Sequence, residues 1–100
     1  MTAQHIASAR AAATMHPPAD AFRVFDWEHH DGLSTREFVG RTREAAGFLV
    51  TVEGVQRSND TCRRWLTIEA PNRGELLDPE IARQLTAAIN AAADEIDALR

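Results

Sequence analysis

The densest group of ionisable side chains in this chain is Asp26-Trp27-Glu28-His29-His30-Asp31. On an extended strand, Asp26, Glu28 and His30 share one face, and two carboxylates with an imidazole can hold a divalent metal such as zinc or nickel. No second cluster supplies further ligands, because His5 and His16 lie in a separate N-terminal stretch. The plainer alternative is a polar strand end running into a turn. Cys62 is the only cysteine. As a nucleophile it would need a His oriented by an Asp or Asn, and no recognisable spacing provides one. Arg57, Arg63, Arg64 and Arg73 gather around Trp65, and Arg36, Arg41 and Arg43 would extend that patch. Guanidinium charge beside an exposed ring is how single-stranded nucleic acid is held. The alternative is a solvated strand face. There is no glycine-rich phosphate loop, GxSxG, HExxH or CxxC. No catalytic residue and no cofactor are therefore assigned, and the chain reads as a non-enzyme.

Bulk properties narrow the classes further. The chain has 100 residues, 44% of them hydrophobic, and a net charge of −4. That is one domain's length with a normal core fraction. The acidic balance argues against a general binder of nucleic acid or anionic membrane. All 11 basic residues are Arg. With abundant Ala, this reflects genome composition before it reflects phosphate recognition. A single cysteine permits no internal disulfide and fits a reducing compartment. The N-terminal MTAQHIASARAAATMH lacks the apolar run of a secretory signal, and no later stretch is long enough to span a bilayer. A cytoplasmic location with no membrane contact is expected.

These side chains must be positioned by a few elements. Residues 2–14 are Ala-rich with few large apolar residues, which predicts a weak helix or a mobile arm ended by Pro17-Pro18. Residues 21–29 read as a strand, followed by turn chemistry at His30-Asp31-Gly32. Residues 33–46 fit two readings. Ser34 and Glu37 have capping-box spacing, and Phe38, Val39, Thr42, Ala45 and Ala46 recur at helical intervals, with Gly47 as a helix stop. Against the helix stand Gly40 and the β-branched residues, which suit a strand.

Residues 48–56 and 61–69 predict a hairpin. A three-residue loop at Ser58–Asp60 sets Val52 opposite Leu66 and Val50 opposite Ile68, so the apolar residues share one face. The other face carries Val55, Arg63 and Trp65, with Glu53 and Arg63 as diagonal neighbours of opposite charge. A break falls at Pro71-Asn72-Arg73-Gly74. Asp78 then caps a helix beginning at Pro79. Ile81, Leu85, Ile89, Ala92, Ile96 and Leu99 form its apolar stripe, placed to cover Val50, Val52, Leu66 and Ile68. Asp94, Glu95 and Asp97 crowd the C-terminal end, where the helix dipole favours cations. That end should fray unless something basic, such as a neighbouring subunit, covers it.

The hairpin GFLVTVEGVQRSNDTCRRWLTIEA and the helix LDPEIARQLTAAINAAADEID resemble a loose group of small actinobacterial proteins. The resemblance covers about half the chain. It implies antiparallel strands followed by a covering helix, favours the strand reading of 33–46, and carries over no site residues and no activity.

The expectation is thus an α+β fold: an antiparallel sheet of three to four strands, covered on one face by a long C-terminal helix. Residues 1–20 form the arm or weak helix, and 21–100 a single domain. The expected function is a non-catalytic interaction or accessory domain acting as a homo-oligomer, with Trp65, Val55 and Arg63 at the interface. The alternatives are a nucleic-acid-binding module using Arg57, Arg63, Arg64 and Arg73, and a metal protein using Asp26, Glu28 and His30.

Overall fold

A computed structural model describes residues 3–71 and 77–99, with side chains from residue 7 onwards. The fold is α+β. The order is α1 (Ala3–Thr14), β1 (Arg23–Val24), β2 (Glu28–His30), β3 (Leu33–Ala45), β4 (Phe48–Arg57), β5 (Cys62–Glu69) and α2 (Pro79–Ala98). The strands form one sheet in the order β1-β3-β4-β5, with β2 also paired to β3. β1 and β2 both run antiparallel to β3.

The strand expected over 21–29 is broken in two. Val24 pairs with Phe38 and Glu28 with Thr35, so four steps on one side match three on the other. One extra residue is accommodated around Asp26, which is a β-bulge. Residues 33–46 resolve as strand, not helix. Ser34, Arg36, Phe38 and Gly40 are buried in alternation, after which the inward positions move to Ala45. A one-residue insertion between Phe38 and Thr42 accounts for the change. Arg36 bonds Gln56, whereas Thr42 bonds Thr51 across the turn, one position out of step. That turn is Ala46-Gly47, with φ of 50° and 87°. Two left-handed residues match the twist of a two-residue hairpin. The Gly47 amide also donates to Glu44 Oε1 at 2.7 Å.

The β4–β5 turn has the expected three-residue loop. The Asp60 amide donates to the Arg57 carbonyl, and the Arg57 amide to the Thr61 carbonyl, each at 2.9 Å. Asp60 takes the left-handed conformation at φ 64°. Continuing the ladder from the Arg57–Thr61 pair sets Val52 opposite Leu66.

Contacts within the fold gather into two compact units. One holds residues up to Gly40 together with Glu53–Arg64; the other holds Arg41–Val52 together with residues from Trp65 onwards. In the first, Phe38 is 1% exposed and lies under Gly54. A Cβ on Gly54 would stand 2.6 Å from both the Phe38 ring and the Arg63 carbonyl, so only glycine lets these groups close. Buried Arg36 donates from Nε to Gln56 Oε1 at 2.8 Å, and from Nη2 to the Met15 carbonyl at 3.3 Å. Gln56 Nε2 donates to the His16 carbonyl at 2.9 Å. Two side chains of the sheet thereby hold the segment that follows α1.

In the second unit, Phe48, Val50, Val52, Leu85 and Ala92 form the core, with Leu66, Ile81, Ala88, Ile89 and Ile96 packed against it. The expected helix stripe therefore does cover its strands. Two members fall outside: Ile68 is 50% exposed and Leu99 39%. Asp78 caps the helix, its Oδ1 accepting from the Ile81 amide at 2.8 Å. The basic cover for the acidic helix end comes from β3, with no neighbouring subunit needed. Arg41 Nε and Arg43 Nη1 stand 3.7 and 3.6 Å from the Glu95 carboxylate.

Candidate functional site

The outer edge of β5 is the feature of this fold most open to chemistry with another molecule. The hydrogen-bond phase of the strand follows from its turn. Arg57–Thr61 is a hydrogen-bonded pair. Such pairs recur every second residue in an antiparallel ladder. Thr61, Arg63, Trp65, Thr67 and Glu69 therefore direct their amides and carbonyls at β4. The Arg63 carbonyl beside Gly54 is consistent with this phase. Cys62, Arg64, Leu66 and Ile68 direct theirs outwards. Among the described residues, no strand pairs with that edge.

The opposite side of the sheet is different. There β1 and β2, of two and three residues with the bulge between them, pair with β3 over Leu33–Val39, and among the described residues no strand pairs with Gly40–Ala45 on that side. Short pieces, bulges, prolines and charges directed inwards are how sheet edges avoid pairing with other chains. β5 has eight continuous residues, CRRWLTIE, with no Pro and no Gly, and its inward-directed charge, Arg64, is matched by Asp20. Of the expected interface residues, Trp65 is 39% exposed, Arg63 is exposed and Val55 is half-buried on β4. Arg63 and Glu69 have no ion-pair partner within 4.0 Å among the described residues, so the expected Glu53–Arg63 pair is not made.

The arginine patch is not assembled as expected. Arg64 binds Asp20 through two hydrogen bonds, Nε to Oδ2 at 3.1 Å and Nη2 to Oδ1 at 2.7 Å. Its side chain is 13% exposed, with the guanidinium 5.4 Å from the centre of the Phe38 ring. The bond to Asp20 holds the Arg64 pKa above its ordinary value. A cation already matched by a bidentate carboxylate has little to offer a phosphate. Arg36 is buried with its guanidinium 4.4 Å from the Trp27 ring, and Arg41 and Arg43 face Glu95. Arg57 Nη1 reaches Thr61 Oγ1 at 3.3 Å. Arg73 lies outside the described residues. Of the four expected phosphate ligands, Arg64 is thus withdrawn into the fold.

The proposed metal ligands do not converge either. Glu28 and His30 approach to 3.6 Å. Among the described residues, however, no three of His, Cys, Asp and Glu are grouped to hold an ion, so Asp26 does not complete the set. Cys62 lines an open groove of about 560 Å³ with Met15, His16, Gln56 and Arg64. Burial pushes its thiol pKa up, outweighing the opposite pull of Arg64. A nucleophilic cysteine needs the reverse shift.

Sequence reasoning missed a hydroxyl network. Ser34, fully buried, bonds Ser8 Oγ at 2.6 Å and His29 Nδ1 at 2.5 Å. Ser58 Oγ accepts from the Ser34 amide at 3.0 Å and lies 3.1 Å from Ser8 Oγ. The network fastens α1 to the strands; Ser34 has no solvent access and could not attack a substrate. The serines come from three distant segments, so nothing in their spacing announces it.

Compared with protein-family models, curated proteins and solved structures, the chain matches none. Among the described residues, no helix is long and apolar enough to cross a membrane.

Proposed function

We propose that this chain is a non-catalytic interaction domain that works as a homo-oligomer through the free edge of β5. The observation that carries the reading is the contrast between the two edges of one sheet. On one side the short β1 and β2 pair with β3 only over Leu33–Val39, and Gly40–Ala45 beyond them carries Gly40 and the arginines Arg41 and Arg43 that face Glu95; on the other side β5 runs for eight residues without Pro or Gly. An exposed strand edge binds by adding another strand, with main-chain hydrogen bonds supplying affinity and side-chain pairs supplying choice. Trp65 and Ile68, both large, apolar and exposed on β5, are the residues such an addition would shield. Aromatic anchors of this kind are frequent energetic centres of interfaces. The free thiol of Cys62 suits a reducing compartment, and we place the domain in the cytoplasm.

Sedimentation velocity on the intact chain tests this reading. A mass of twice 11.1 kDa or a higher multiple is expected at micromolar concentration. A single 11.1 kDa species at about 100 μM, weaker than any stable homodimer, would overturn it.

A further inference from the structure

We infer that the partner on the β5 edge is β5 of a second copy, joined antiparallel about a two-fold axis at Leu66, with Arg63 of each copy facing Glu69 of the other. The inference rests on the homo-oligomer reading above and specifies its geometry.

Symmetry restricts the choices. Most homodimers are closed by a two-fold axis that uses the same surface twice. When two identical strands extend one sheet antiparallel, that axis stands perpendicular to the sheet. Facing residues must then lie on the same sheet face and share parity, so the axis passes through a residue and not between two. The hydrogen-bond phase agrees with an axis at Leu66. Leu66, Arg64 and Ile68 all direct their amides and carbonyls outwards. Leu66 would meet Leu66 of the other copy, and Arg64 would meet Ile68, all as hydrogen-bonded pairs.

Charge selects this register over its neighbours. β5 carries Arg63 near its start and Glu69 at its end, both exposed and neither ion-paired within 4.0 Å among the described residues. Antiparallel self-pairing reverses the strand, and only the axis at Leu66 brings these opposite charges face to face. It does so twice, once at each end of the shared ladder. An axis at Trp65 would set Arg63 against Thr67, and one at Thr67 would set Arg63 beyond the end of β5. The Leu66 register also faces Trp65 with Thr67 in a close, non-hydrogen-bonded pair, which narrows the exposure of the ring. On the other face, half-exposed Ile68 gains the aliphatic part of Arg64 and the neighbouring Leu66.

Charge exchange across the pair provides the test. Arg63→Glu and Glu69→Arg each replace two attractions per dimer with two repulsions. Each is expected to weaken dimerisation about tenfold at low salt, since directly facing like charges are destabilising. The double variant R63E/E69R restores opposite charges and is expected to dimerise within about threefold of the original chain, with the additive loss of the two singles absent. Both positions are exposed, and circular dichroism of each monomer checks that folding is unchanged. A chain that is dimeric, but whose double variant is as weak as the sum of the singles, contradicts this register while leaving self-association intact. A chain that is monomeric at every concentration contradicts the homo-oligomer reading itself, and the register with it.

Discussion

Gly54 is where a single atom has the largest effect on this fold. Its missing side chain lets the Phe38 ring and the Arg63 carbonyl close to 2.6 Å of where a Cβ would stand. Neither neighbour is the free end of a flexible chain: one is backbone, the other a ring that is 1% exposed. Gly54→Ala should therefore force a shift of strand or ring. Overpacking of this kind costs about 1–3 kcal/mol. Urea denaturation should show a lower midpoint with an unchanged slope. At this scale the sequence was partly legible. The parity of Cys62 with Leu66 and Ile68 suggests a thiol facing the core, whereas Cys62 is half-buried and lines an open groove. The pairing of Arg64 with Asp20 was not legible, because the two lie 44 residues apart and neither has a local signature. The same holds for Ser8, Ser34 and Ser58.

The elements were more readable where their periodicity was undisturbed. α2 has a cap at Asp78, a proline at its start and one apolar stripe, and all three features appear in the structure. Leu85 is the most buried large residue of that stripe, at 9% exposure. Leu85→Ala should cost about 2–5 kcal/mol in equilibrium unfolding, as other leucine truncations in cores do. β3 was ambiguous for a physical reason. Its inserted residue moves the buried positions from Phe38 and Gly40 to Ala45, so that Phe38 and Ala45 lie seven apart. Seven is an even number of turns for a helix and the wrong parity for a regular strand. The bulge around Asp26 had the opposite effect. Residues 21–29 look like one strand by composition, yet the extra residue divides them into β1 and β2. Periodicity cannot reveal a bulge, because nothing in the residue types marks the position where the chain steps aside.

At the scale of the whole molecule, the proposed function rests on strand order, and strand order is not written in local pattern. The sequence placed Trp65 on the face away from α2. It could not say that β5 is terminal, nor that the opposite side carries only β1 and β2, two short pieces parted by a bulge. Those two facts turn an exposed tryptophan into part of an open edge. They also separate this reading from its competitors. The phosphate-binding reading loses Arg64 to Asp20, and the metal reading lacks a grouped third ligand among the described residues.

The most direct measurement is amide hydrogen exchange, read residue by residue by NMR at several protein concentrations. Leu66 and Ile68 have amides directed away from β4, while Trp65 and Thr67 have amides bonded to it. Pairing of the outer edge predicts that Leu66 and Ile68 exchange slowly at high concentration and speed up on dilution, as opening of the shared ladder exposes them. Fast exchange at both residues, equal at every concentration while Trp65 and Thr67 stay protected, would show an edge that no second strand covers.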